Sequence, residues 1–252
     1  MELYIIRHAQ SENNALMQDQ HLRVKDPDLT EVGVQQANLL AQYLKENNNI
    51  DDLVRKKIDD PARAERHPHK ITHLYCSAMK RALKTAQPIG EALGLNAEVW
   101  VDIHEHGGIF LEEPEGVITG YGGMTRSEIL ELYPNYVLPK IITEAGWWNP
   151  ANGKEDVPGC HARAIRTAQM LWERARHADT KDDVVAIVTH GFFIDCLLKA
   201  LWNSSPGTGH FHWLYNTSVT RVDFVTESPR FGDFVGMRCI NRVAHLPEEL
   251  IT

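Results

Sequence analysis

Three short apolar runs limit the folds open to this chain. Residues 3–6 (LYII), 71–76 (ITHLYC) and 184–188 (VVAIV) are each followed by a helix-forming pattern. A strand that is apolar on both faces belongs inside a sheet covered by helices, and repeated strand-then-helix order gives parallel pairing. The expected fold is therefore α/β, a three-layer α/β/α arrangement with a mostly parallel central sheet. A fourth run, 218–225 (SVTRVDFV), alternates as a half-buried strand does. Segment 234–240 (FVGMRCI) is placed to pair with it across the turn around Pro229 and Gly232.

Four helices are expected between these strands. "LTEVGVQQANLLAQYLKE" puts Val34, Ala37, Leu40, Ala41 and Leu44 on one face, with Thr30 as N-cap. "SAMKRALKTAQPIGEALG" begins at Ser77 as N-cap and ends near Gly94, with Pro88 interrupting and kinking it. "CHARAIRTAQMLWERARH" turns Ala164, Ala168, Leu171 and Ala175 inward, and "GFFIDCLLKALW" follows the run 184–188 directly. Two stretches break the rhythm. Residues 47–70 are charged and proline-punctuated, which reads as a solvated insertion. Residues 104–160 are rich in Gly, Pro, Glu and Trp, with one helix near 125–133; an insertion of about 99–160 reads as a functional lid.

A length of 252 residues suits one domain spanning 1–252. The formal net charge of −8 does not favour a nucleic-acid partner. No apolar run approaches the roughly 18–20 residues of a membrane span. The N-terminus shows no signal-peptide pattern. Cys76, Cys160, Cys196 and Cys239 are scattered and form no C-x-x-C pair, as expected of reduced cysteines in a cytoplasmic protein.

The first and third runs end on histidine: Arg7-His8 after 3–6, and Thr189-His190-Gly191 after 184–188. In open α/β sheets ligands sit beyond the carboxyl ends of the strands. If these strands are neighbours, their backbones lie about 4.8 Å apart and both histidines face one small volume. Arg81, near the start of the helix after the middle run, adds a planar fork suited to phosphate oxygens beside a helix N-terminus.

These residues carry a family resemblance. "RHAQSENN" resembles the R-H-G-x-S-x-x-N opening of the histidine phosphatase superfamily, in its phosphoglycerate-mutase-like branch. "LTEVGVQQA" is similar to that family's L-T-x-x-G-x-x-Q-A segment. "CSAMKRALKTA" is similar to its S-x-x-x-R-A-x-x-T-A segment, and "VTHGFF" to its second histidine motif. One departure is Ala9, where the family usually has glycine.

The resemblance implies a fold like phosphoglycerate mutase and a set of roles. His8 would attack phosphorus and become a phosphohistidine. Arg7, Arg81 and His190 would neutralise the phosphoryl oxygens, with Ser11, Asn14 and Gly191 completing the phosphate-binding set. Glu105, in "DIHEHGG", would protonate the leaving oxygen. His104 and His106 beside it also make an H-x-H pattern, but the resemblance implies neither a metal nor a cofactor. The expected partner is a small-molecule phosphomonoester, with a homodimer left open.

The same machinery serves a mutase and a phosphatase. Residues 105–160 hold only Arg126, Lys140 and Lys154 against nine Asp and Glu, a lid poorly suited to phosphoglycerate. Trp147 and Trp148 either wall a pocket for a flat leaving group or anchor the lid by local packing. A phosphomonoester phosphatase is the preferred expectation. Phosphoglycerate-mutase-type transfer and a non-catalytic phospho-ligand-binding module are the alternatives.

Overall fold

The computed structural model describes residues 1–16, 19–46, 71–113, 115–207 and 209–252. The solvated insertion expected at 47–70 lies outside the described residues. Strand β1 (Glu2–Arg7) is the apolar run Leu3–Ile6 with a polar residue at each end. It pairs in parallel with β6 (Val184–Thr189) and antiparallel with β7 (Val219–Ser228). Strands β2 (His73–Cys76) and β3 (Glu98–Val99) extend the parallel side, and β8 (Gly232–Arg242) pairs antiparallel with β7. The order across the sheet is β3-β2-β6-β1-β7-β8. The antiparallel pair expected from 218–225 and 234–240 is therefore β7 and β8.

Alternation along β1 feeds two cores. Tyr4 and Ile6 face one side with Leu40, Leu74, Leu83 and Ile89. Leu3 and Ile5 face the other with Ala164, Leu171, Phe193 and Leu197. Each fully buried Leu or Ile contributes about 1.5–3 kcal/mol of transfer free energy. The first core is covered by helices α2 (Glu31–Glu46) and α3 (Lys80–Leu93), after a short α1 (Glu12–Ala15). The second is covered by α5 (Val157–Arg176) and α6 (Gly191–Leu201).

Between β3 and α5 lie a two-stranded hairpin, β4 (Phe110–Glu112) with β5 (Ile118–Gly120), and helix α4 (Arg126–Leu132). Thr125 caps α4 by accepting the Glu128 amide, and Glu128 accepts the Thr125 amide in return. Among the described residues, no helix is long and apolar enough to cross a membrane.

Two local expectations are corrected. The inner face of α2 is Gly33, Gln36, Ala37, Leu40 and Ala41, and Val34 is exposed. Its first turns meet the Gln10 backbone through Gly33 and Gln36, and Leu40 and Ala41 further along enter the apolar core. Helix α3 starts at Lys80 with Met79 as the capping position, because the Ser77 hydroxyl is drawn to His190 instead. As expected, α3 carries Pro88 inside it and ends at Gly94, after Leu93. Proline removes one N–H donor from the ladder, and Gly94 then closes the helix in the left-handed conformation.

Candidate active site

Parallel pairing puts the carboxyl ends of β1, β6 and β2 at one edge of the sheet. In the register, Arg7 stands opposite Thr189, and the His8 amide donates to the Thr189 carbonyl at 2.8 Å. The two histidine rings follow at once, with centroids 5.0 Å apart and planes at 54°. His8 is 2 % exposed and His190 is fully buried.

The His8 ring is oriented by its own loop. Nδ1 lies 2.7 Å from the Ala9 carbonyl oxygen, which can only accept, so Nδ1 carries the proton. Nε2 is then the basic nitrogen, and Arg81 Nε donates to it at 3.2 Å. Burial first, then the charges of Arg81 and Arg7, hold the His8 imidazole well below its ordinary value, with the Ala9 hydrogen bond opposing. His190 is held low in the same way, by burial first and then by Arg81 and His8. Its Nε2 meets the Ser77 hydroxyl at 2.8 Å. Arg7 donates through Nη1 to the Leu214 carbonyl. His190 Nδ1 and Arg7 Nε are buried without a hydrogen-bond partner among the described residues.

The L-T-x-x-G-x-x-Q-A segment earns its pattern by holding this loop. Thr30 caps α2 through the Gly33 amide and also donates to the Gln10 side chain. A Cβ on Gly33 would sit 2.1 Å from the Gln10 carbonyl oxygen, so only glycine lets α2 approach. Gln36 accepts the Gln10 amide and donates to Leu250 and Thr252 near the chain end. Ala37 and Leu29 enclose the methyl of Ala9, which is fully buried and causes no crowding. On the other side, the Ala9 amide donates to Thr85, and Asn216 donates to the His8 carbonyl.

Arg7, His8, Ser11, Asn14, Arg81 and Glu105 all line one cavity of about 780 Å³. His190 packs against the His8 ring, and Gly191 lies under Arg7, where a Cβ would come within 3.4 Å of Arg7 Nε. Ser11 Oγ donates to Asn14 Oδ1 at 3.0 Å, which turns the Asn14 amide to a fixed orientation. Glu105 sits at the N-terminus of α6. Its Oε1 accepts the amides of Phe193 and His106, and its Oε2 accepts that of Phe192. Three of four carboxylate lone-pair sites are thereby occupied, and the fourth is on Oε2.

Several contributors were not read from the sequence. Asp26 accepts the Lys80 amide at the start of α3, and its Oδ1 lies 3.9 Å from Arg81 Nη1. Burial pushes its carboxyl up to about 6, against the lowering pull of Arg81. A buried partner for Arg81 was foreseeable from the acids of "KDPDLT" just ahead of the α2 cap.

The cavity mouth takes Arg23 and Lys25 from the segment ahead of α2, while the 99–160 insertion supplies Lys154 with Glu112 and Glu113. The poverty of the lid in basic residues therefore says little about the charge of the pocket. Trp147 and Trp148 anchor the lid: they lie on Gly123 and Gly108, both at positive φ, and pack against His104. The aromatic wall of the cavity is Phe110 and Phe192, with His106 stacked on Phe192 at 4.6 Å. His104 and His106 thus serve different walls.

The family model described as "Histidine phosphatase superfamily (branch 1)" matches residues 3–55 and 61–235. A curated relative from Yersinia pestis (strain Pestoides F), named "Probable phosphoglycerate mutase GpmB", is 24% identical over 98% of this chain and 95% of its own. A mycobacterial glucosyl-3-phosphoglycerate phosphatase, solved with VO3, shares 20% identity at a TM-score of 0.56, covering 95% of this chain and 98% of that one. A phosphoserine phosphatase from Entamoeba histolytica, solved with phosphoserine, shares 22% identity at a TM-score of 0.57, covering 98% and 99%. The two structural likenesses bear on the fold.

Proposed function

Because this chain belongs to the histidine phosphatase superfamily, branch 1, we propose that it is a phosphomonoester phosphatase with His8 as nucleophile. The observation that carries the reading is the orientation of His8: Nδ1 is tied to the Ala9 carbonyl, and Nε2 faces the Arg81 guanidinium. A neutral imidazole held that way can attack without first losing a proton.

As the ester enters, Arg81 moves its hydrogen bond from the ring to the phosphoryl oxygens, and Arg7 Nε and His190 Nδ1 gain acceptors. The Nε2 lone pair forms the N–P bond while the bond from phosphorus to the ester oxygen breaks. The departing oxygen takes a proton from Glu105, carried on the remaining Oε2 site. Water then attacks the phosphohistidine, the N–P bond breaks, and Glu105 takes up the water's proton. Charge stabilisation by a preorganised clamp is the main catalytic contribution in such transfers.

The test is turnover of p-nitrophenyl phosphate in EDTA, with an alkaline denaturing quench to trap a protein-bound phosphoryl group that acid then releases. Both should be present in the native protein and absent in His8→Ala. Comparable turnover by the variant refutes the nucleophile assignment. The curated relative's name favours a second reading, phosphoglycerate mutase. Rapid interconversion of 2- and 3-phosphoglycerate with a bisphosphoglycerate primer, faster than phosphate release, would replace the phosphatase by it.

A further inference from the structure

We infer that Arg163 is a positioning residue for the reaction: its guanidinium fixes the segment that aims the Glu105 carboxylate, without touching the substrate. The inference rests on the proposed role of Glu105 as proton donor. Arg163 stands near the start of α5, is 3 % exposed and is not among the residues that line the cavity. Burying a charge is costly unless it is paired and its donors are met.

All five N–H donors of Arg163 have acceptors. Nη1 donates to the Asp102 carbonyl at 2.7 Å and to the His104 carbonyl at 2.9 Å. Nε and Nη2 grip the two oxygens of Glu155 at 2.9 and 2.6 Å, and Nη2 also reaches Cys160 Sγ at 3.6 Å. Burial acts to raise the Glu155 carboxyl, but the hydrogen bonds and charge of Arg163 hold it below its ordinary value. The pair is therefore ionised on both sides.

These bonds belong to a segment in which the backbone is fully engaged around Glu105. The Ile103 carbonyl accepts the Thr189 hydroxyl at 2.6 Å. The Glu105 carbonyl accepts the Gly108 amide and lies 2.8 Å from His104 Nδ1. The Gly107 carbonyl accepts the Glu155 amide at 3.1 Å. Arg163 reaches both sides of the acid, directly to Asp102 and His104 before it and through Glu155 to Gly107 after it. Its guanidinium carbon also lies 4.6 Å from the centre of the Phe193 ring, and the Phe193 amide is one that Glu105 accepts. The Phe192 and Phe193 amides sit in the first turn of α6, where a helix offers no internal acceptor and the His190 side chain makes no capping bond. Glu105 caps them instead, so their protection reports whether it is in place. Lysine is no substitute for Arg163, because an ammonium is a point donor and lacks the planar fork that spans two carbonyls and a carboxylate.

The experiment measures Arg163→Lys on an alkyl phosphate and on p-nitrophenyl phosphate. An alkoxide needs the Glu105 proton to leave, and p-nitrophenolate hardly does. The variant should lose about ten- to a hundredfold in kcat on the alkyl ester, the scale of a displaced proton donor, and less than about threefold on p-nitrophenyl phosphate, with KM little changed. In a Glu105→Gln background the same change should cost the alkyl ester less than about twofold further, because the two residues act as one unit. Glu155→Gln leaves Arg163 on its two carbonyls but loosens its hold on the lid. It should show the same selectivity at smaller size, and it decides the matter where Arg163→Lys fails to fold. Equal losses on both esters, or losses that multiply with those of Glu105→Gln, overturn the positioning role and leave the phosphatase reading intact.

Hydrogen exchange separates the two ideas. The Phe192 and Phe193 amides should exchange about tenfold faster in Arg163→Lys than in the native protein, the scale of one hydrogen bond to a charged group, while the later turns of α6 keep their protection. Unchanged exchange at both amides overturns the positioning role whatever the turnover. Native protein that hydrolyses neither ester but shows this local loss on Arg163→Lys supports the positioning role and overturns the phosphatase reading.

Discussion

Replacing Asp26 by asparagine separates the charge of the Arg81 partner from its shape. Asparagine keeps an oxygen to accept the Lys80 amide, so the cap on α3 survives. Only the carboxylate facing Arg81 at 3.9 Å is lost. The Asp26 carboxyl is raised from 3.8 to about 6, mainly by burial. The folded state therefore holds this proton more tightly than the unfolded chain does. Stability from that source is fully present below the unfolded value and is lost as pH rises through about 6. At 1.36 kcal/mol per unit, the loss is about 3 kcal/mol.

The variant has no such titration. Between about pH 4 and pH 7.5 the native protein should lose about 2.5 kcal/mol of this relative to Asp26→Asn, or roughly 5–10 °C in relative Tm for a chain of this size. Activity should move the other way, because only the ionised carboxylate steadies Arg81. The ratio of native to variant kcat should be near one at about pH 5 and rise with a midpoint near 6. The substrate's own ionisation is common to both proteins and cancels in the ratio. Melting curves that run parallel across the range, with a flat activity ratio, would refute this reasoning.

Removing the guanidinium in Arg81→Ala should lower turnover by about 10²-fold or more, the scale of one preorganised charge donor, with a smaller effect on folding. Glu105→Gln should slow alkyl phosphates, whose leaving oxygens need a proton, far more than p-nitrophenyl phosphate; equal losses on both would count against the proton role. Gly33→Ala should destabilise by about 1–3 kcal/mol, since its Cβ would lie 2.1 Å from a backbone oxygen that cannot swing away. It should also reduce kcat, because the displaced segment is the one after His8; an unchanged Tm would disprove the close approach.

The sheet was legible because apolar runs of four to six residues have few other uses in a chain of this composition. Their polar ends were equally legible: Arg7-His8 and His190 converge as the strand ends required. What escaped was polar residues whose role depends on a distant partner. Gln36 scores as a surface residue by hydropathy, yet it is fully buried because Gln10 and the chain end supply its hydrogen bonds. Ser77 looked like a helix cap until His190, brought from another strand, claimed its hydroxyl. Arg23 and Lys25 sit in no periodic element, so nothing local placed them on the cavity wall. Trp147 and Trp148 offered two readings, and only the glycines beneath them decided for packing.

The site also stores an electrostatic conflict that an anion should resolve. Burial first lowers the hold of Arg7 on its proton, with Glu105 opposing and Arg81 adding to it; burial first also lowers that of Arg81, with Asp26 and Glu105 opposing; and both charges push the His8 imidazole toward neutrality. The arrangement keeps the nucleophile unprotonated while the two guanidinium groups remain charged in a poorly solvated place. A tetrahedral dianion supplies acceptors for Arg7 Nε and His190 Nδ1, which have no hydrogen-bond partner among the described residues, and adds countercharge beside both arginines. Ligand that binds only the folded state stabilises it by about 2.7 kcal/mol at 100 times its Kd, or roughly 5–10 °C in Tm here. Phosphate or vanadate should therefore raise Tm in EDTA, and Arg81→Ala should abolish most of the rise. A rise of equal size in native protein and Arg81→Ala would mean that the anion binds somewhere other than between these side chains.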